Sequence, residues 1–158
     1  MFISSVWYPN LVDDDWIWGG SLEAIYQTLQ YGIRADNLDT RVSQMPAFGK
    51  EGLLSKDDVN TVVDYVLYLS GQKSKGDIAT VATIYKNNCA SCHGDNGKGL
   101  YEFGAPNLTD KIWLYGGSKE DIYKTVFNSR AGMMPAWDKR LDENTLRQLT
   151  IYLHQLGG

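Results

Sequence analysis

The sequence predicts an all-α fold, and three observations carry that prediction. Apolar residues recur at helical spacing behind Ser or Asp caps, and no stretch alternates long enough for a strand. The chain also repeats itself: twelve of the twenty positions from Pro9 to Thr28 are identical to those 97 residues later. Finally, both cysteines fall in one short run, Cys89-Ala90-Ser91-Cys92-His93, whose spacing puts the two thiols on one face of a helical turn.

The elements follow in chain order. Pro9-Asn10-Leu11-Val12-Asp13 recurs as Pro106-Asn107-Leu108-Thr109-Asp110. Trp16-Ile17-Trp18-Gly19-Gly20-Ser21 recurs as Trp113-Leu114-Tyr115-Gly116-Gly117-Ser118, and Ile25-Tyr26 as Ile122-Tyr123. Met45-Pro46-Ala47-Phe48 then matches Met134-Pro135-Ala136-Trp137, after an insertion of about eight residues in the first copy. Ser55 with Asp58 opens a helix through Val59, Val62, Val63, Val66 and Leu69. Residues 73–76 are polar, sit beside glycines and read as a linker. Asp77 is placed to cap a helix that carries Val81, Ile84 and Tyr85 into Cys89. Gly94, Gly97 and Gly99 make the loop after it. Ser118 with Asp121 opens a helix through Ile122, Tyr123, Val126 and Phe127. Asp142 caps a last helix with Leu146, Leu149, Leu153 and Leu156 in phase.

Composition narrows the function classes. The 158 residues are 43% hydrophobic, enough for a folded chain with one ordinary domain or two small ones. Net charge is -4 and uneven: residues 1–72 carry ten acids and four bases, residues 73–158 nine acids and eleven bases. An acidic first half makes nucleic acid an unsuitable partner. No segment approaches the roughly eighteen apolar residues of a transmembrane helix.

The cysteine run carries the chemistry. C-x-x-C-H reads as a c-type haem attachment site: two thiols reach the haem vinyl groups, and the adjacent imidazole falls under the iron. A structural zinc site would need four protein ligands, and the chain has two cysteines and two histidines. A thioredoxin-like motif would need a βαβ setting, which the pattern does not offer. Cys89 and Cys92 are therefore read as haem anchors and His93 as the proximal ligand. Methionine opposite histidine closes the iron to substrates, the ligation of electron-transfer cytochromes. Met134 is the expected distal ligand, because it aligns with Met45 while Met133 has no counterpart. His154, inside the last helix, is the remaining rival. Trp113 is read either as an N–H donor to a haem propionate or as core packing.

The paired Pro-Asn-Leu…Trp-Gly-Gly segments, each followed by Met-Pro-Ala-aromatic, resemble the dihaem cytochrome c subunit of cbb3-type cytochrome c oxidases, the FixP/CcoP family. The resemblance implies a cytochrome c-like domain at residues 77–158, preceded at residues 1–72 by a truncated second copy without its haem-attachment helix. It implies one covalent haem c with His/Met axial ligands, and Met45 as an unligated thioether. Cytochromes c in general hold the proximal histidine on a proline carbonyl, and Pro106 is the matching position. The implied function is one-electron relay towards the oxygen-reducing subunit, with no catalytic centre in this chain. The implied partners are other oxidase subunits and a donor cytochrome c. The implied location is the periplasmic side of the bacterial inner membrane, with membrane association only through partners or a missing N-terminal anchor. The alternatives are a soluble periplasmic c4-like cytochrome, a haem peroxidase-like enzyme with an open distal position, and a non-functional gene fragment. The second copy is expected to stand without the first.

Overall fold

The computed structural model describes residues 9–73 and 78–157. The cap expected at Asp77 and linker residues 74–76 lie outside them. The described residues are helical, and their β-pairing is confined to isolated bridges.

Among the described residues six α-helices form, four of them behind a Ser or Asp cap. Helix α1 (Leu22–Tyr31) starts at Ser21, whose hydroxyl accepts the Ala24 N–H at 3.2 Å. Helix α2 (Lys56–Leu69) starts in a capping box: Ser55 accepts from the Asp58 N–H, and the Asp58 carboxylate accepts from the Ser55 N–H. Helix α3 (Ile78–Asn88) leads through Cys89 into the single turn α4 (Ala90–His93). Helix α5 (Lys119–Asn128) is capped by Ser118, and α6 (Glu143–Gly157) by Asp142, whose carboxylate accepts the Thr145 N–H at 3.0 Å.

The helices sort into two compact units. The first includes Met45–Leu100 and Ala105–Arg130, and thus α2 to α5. The second consists of Asn10–Gln44, Tyr101–Gly104 and Ala131–Gly158, with α1 and α6. Each unit draws on both halves of the sequence, whereas the repeat suggests a division near residues 73–76. The physical reason is that α2 and α6 both follow a Met-Pro-Ala segment and both carry an apolar stripe. The stripe alone cannot specify which neighbours it meets.

In the first unit, α2 buries Val59, Val62, Val63 and Val66 against Ile122 and Val126 of α5, with Phe48 closing the cluster. Burying each such side chain stabilises by about 1.5–3 kcal/mol, so α2 is a main strut of this unit. Its other contacts agree. Tyr65 of α2 lies against Tyr85 of α3, ring centroids 5.0 Å apart. Asp64 pairs with Lys119 of α5 at 2.7 Å.

In the second unit, Ile25 and Leu29 of α1 meet Leu146 of α6, flanked by Trp16, Tyr26, Met134, Trp137, Leu149 and Leu153. Ile33 and Met134 exchange two backbone hydrogen bonds of 2.9 Å. These hold the Met-Pro segment of the second repeat beside the end of α1.

Candidate functional site: a haem-attachment turn

The cysteine run sits where a helix changes direction. The Cys89 N–H still donates to Tyr85 O of α3 at 2.8 Å, and the His93 N–H donates to Cys89 O at 2.9 Å. The turn α4 therefore continues α3 with a break at Cys89, which leaves Cys89 and Cys92 half-buried and His93 buried. Gly94 ends the turn at φ 76°, a left-handed conformation that suits glycine.

The following loop is tied back onto the turn. Gly99 N–H donates to His93 O at 2.8 Å, and Leu108 N–H to Gly97 O at 2.7 Å. Tyr85 Oη donates to Gly94 O at 2.8 Å. This folding brings Pro106 O to 3.0 Å from His93 Nδ1. A carbonyl can only accept, so Nδ1 carries the proton and Nε2 keeps the lone pair a metal requires. Burial pushes His93 below its ordinary value, opposed in part by the bond to Pro106. The imidazole is thereby held neutral, the form that ligates. Burial, and to a lesser degree the neighbouring Cys92, push the Cys89 thiol up to about 11.

Gly99 has a part that sequence reasoning missed. Its φ is +80°, and a Cβ there would overlap the Ala105 carbonyl oxygen and crowd the Pro106 carbonyl. Only glycine lets the loop close tightly enough to present that carbonyl to His93. The signal was limited to a glycine-rich loop, which does not tell one glycine from another.

The other expected residues separate. Trp113 packs, half-buried, against the core of the first unit, as does Cys89. Met134 packs instead on the core of the second unit, where Met133 is 72% exposed. His154 lies on α6 of that unit. Among the described residues, the methionine in the same unit as the cysteine run is Met45, half-buried against the cluster that Cys89, Leu108 and Trp113 also line. Two thiols one helical turn apart, a buried imidazole with an oriented Nε2, and a soft thioether make a donor set that fits a covalently bound haem.

Comparison with known proteins agrees with this chemistry. A family model described as "Cytochrome C oxidase, cbb3-type, subunit III" matches residues 76–153. The chain is 54% identical over 153 residues to the cbb3-type cytochrome c oxidase subunit FixP of Bradyrhizobium sp. strain ORS 278, covering 96% of this chain and 53% of the relative. It is 52% identical over 153 residues to FixP of Bradyrhizobium diazoefficiens, with the same two coverages of 96% and 53%. It is 49% identical over 156 residues to subunit CcoP of Cereibacter sphaeroides, covering 98% of this chain and 54% of the relative. The chain thus spans about half the length of the curated relatives it matches. No helix among the described residues is long and apolar enough to cross a membrane.

Proposed function

The chain belongs to the FixP/CcoP family of cbb3-type cytochrome c oxidase subunits, and from that premise we propose that it carries single electrons through one covalent haem c towards the oxygen-reducing subunit. The observation that supports this most is the oriented imidazole, His93 Nδ1 on Pro106 O at 3.0 Å, directly after two thiols on one turn. Haem bound there would supply an iron that shuttles between ferric and ferrous states.

The rest of the work falls to the protein. Cys89 and Cys92 would hold the ring, each thiol supplying the S–H for one thioether link to a vinyl group. The Pro106 carbonyl fixes the tautomer and plane of His93 and raises its basicity. A methionine thioether, were it to ligate as well, would keep oxygen and peroxide from the iron and raise the reduction potential. Trp113 and Leu108, which pack on the buried cluster of the first unit with Cys89, would give a haem held there an apolar wall. Donor cytochrome c and the other oxidase subunits are the partners in this reading, and the site works on the periplasmic side of the membrane, where haem c is attached.

The test is expression with a haem-attachment system and export. Intact mass should rise by one haem per chain, and reduced-minus-oxidised spectra should show low-spin haem c. A chain exported without covalent haem, or one whose ferric haem takes up peroxide readily, would exclude electron carriage in favour of a relic or a peroxidase.

A further inference from the structure

We propose that the groove between α1 and α6 is a docking site for another subunit of the oxidase, and that it takes an apolar side chain flanked by a lysine or arginine. This rests on the oxidase reading above.

The two units carry the same helix pair with different surfaces. The caps set the register: Ser21 stands where Ser118 does, and Asp142 where Ser55 does. In the first unit this surface is closed by charge. Lys119 of α5 pairs with Asp64 of α2 at 2.7 Å, and Glu120 pairs with Lys124 of its own helix at 2.7 Å. In the second unit the positions of Lys119 and Asp64 hold Leu22 and Ile151, and that of Lys124 holds Gln27. Glu23 remains in the place of Glu120, and it makes no ion pair among the described residues.

What charge closes in one unit is open in the other. Leu22, Tyr26, Thr150 and Ile151 line a groove of about 520 Å³ between α1 and α6. Leu22 is 45% exposed and Ile151 51%. Positions that suit a solvated ion pair in one copy thus present aliphatic side chains to water in the other. Single exposed apolar residues are ordinary, but these two line one groove from its two helices. The buried Thr150 has its hydroxyl on the Leu146 carbonyl at 2.8 Å, so it makes no polar demand on an occupant.

The rim sets the chemistry of that occupant. Arg147 and Glu143 pair with each other there. Glu23 is left as the uncompensated charge. An aliphatic side chain would fill the space between Leu22 and Ile151, and a neighbouring lysine or arginine would reach Glu23 while its stem lies on apolar surface. An apolar centre with charge at its edge is the anatomy of a stable protein interface, whereas transient electron-transfer encounters are small. The groove therefore fits a resident oxidase subunit better than a passing donor cytochrome. It also gives the second unit, which has no C-x-x-C-H turn among its described residues, a task of its own.

The experiment titrates the haem-loaded chain onto the other oxidase subunits, purified together. Leu22→Lys combined with Ile151→Asp rebuilds the ion pair of the first unit. That double variant should keep its haem loading and melting temperature and bind at least about thirtyfold more weakly. Glu23→Gln should leave folding unchanged, weaken binding by about two- to fivefold, and make it less sensitive to added salt. Binding equal to wild type in either folded variant would overturn the proposal. Should the double variant fail to fold, Glu23→Gln alone decides. A wild-type chain that binds none of the oxidase subunits would defeat the oxidase reading, and the docking site with it.

Discussion

The two compact units share a plan and differ in what they hold. In each, a ten-residue helix with a serine cap, α1 or α5, packs against a longer helix that follows a Met-Pro-Ala segment, α6 or α2. In each, an arginine guanidinium covers an aromatic ring at 5.1 Å, Arg41 over Trp18 in one and Arg130 over Tyr115 in the other. One unit adds α3, the C-x-x-C-H turn and its glycine loop; the other has no such turn. The difference teaches that the shared plan is a cradle and the added piece is the chemistry. It also shows that the first repeat supplies α2 and Met45 to the unit that holds the C-x-x-C-H turn. Removing residues 1–72 would strip that unit of most of its valine core.

The comparison breaks most sharply at the anchor. Replacing both Cys89 and Cys92 with Ala should abolish covalent haem completely, read as haem staining after denaturing electrophoresis. Haem retained there would place the attachment site elsewhere.

The core of each unit gives the next largest effect. Val62 is 1% exposed, and Val62→Asp buries a carboxylate without a partner, at a cost of several kcal/mol. Haem loading should fall with it. Leu146, 2% exposed in the other unit, should lose about 2–5 kcal/mol as Leu146→Ala while the haem spectrum stays unchanged. Thermal unfolding followed at the haem and by far-ultraviolet dichroism separates the two. Equal loss of haem from both variants would make the units one cooperative body.

Glycines sharpen the contrast further. Gly99 and Gly32 both have positive φ, and a Cβ on either would overlap a carbonyl oxygen, of Ala105 and Met134 respectively. Each change to Ala should destabilise by about 1–3 kcal/mol. Gly99→Ala alone should also shift the reduction potential, because it displaces the Pro106 carbonyl from His93. A potential unchanged in Gly99→Ala would deny the loop that role.

Caps give the smaller effects. Ser55→Ala and Ser21→Ala should each cost about 1 kcal/mol, the first more because it dismantles a reciprocal pair. Smallest is Asp142. Hydrogen bonds from the Thr145 hydroxyl and N–H hold its carboxyl below the ordinary 3.8. Its stabilising contribution is complete above the unfolded value and is lost as pH falls through the lower folded value. Asp142→Asn keeps a cap and should remove that acid-dependent part from the melting curve of the second unit. A wild-type curve flat below pH 3.8 would show that the bonds carry no charge preference.

Much of this protein was legible in its residues because the deciding interactions are local. A Ser with an acid three residues on closes its own helix start at Ser55 and Ser118, whatever lies across the domain. The C-x-x-C-H run puts two thiols and an imidazole within one turn by backbone geometry alone. The last helix lines up Leu146, Leu149 and Leu153 by its own period. The pairing of helices was not legible, because the repeat makes it degenerate. The apolar stripes of α2 and α6 are both able to cover a short helix such as α1 or α5, and Met45 and Met134 stand in the same motif. Only the tertiary structure chose between them. It did so through non-local contacts that no window of sequence contains: Ser129 on the Met45 carbonyl, Phe127 against Gly49, Asp64 with Lys119, and Tyr65 on Tyr85.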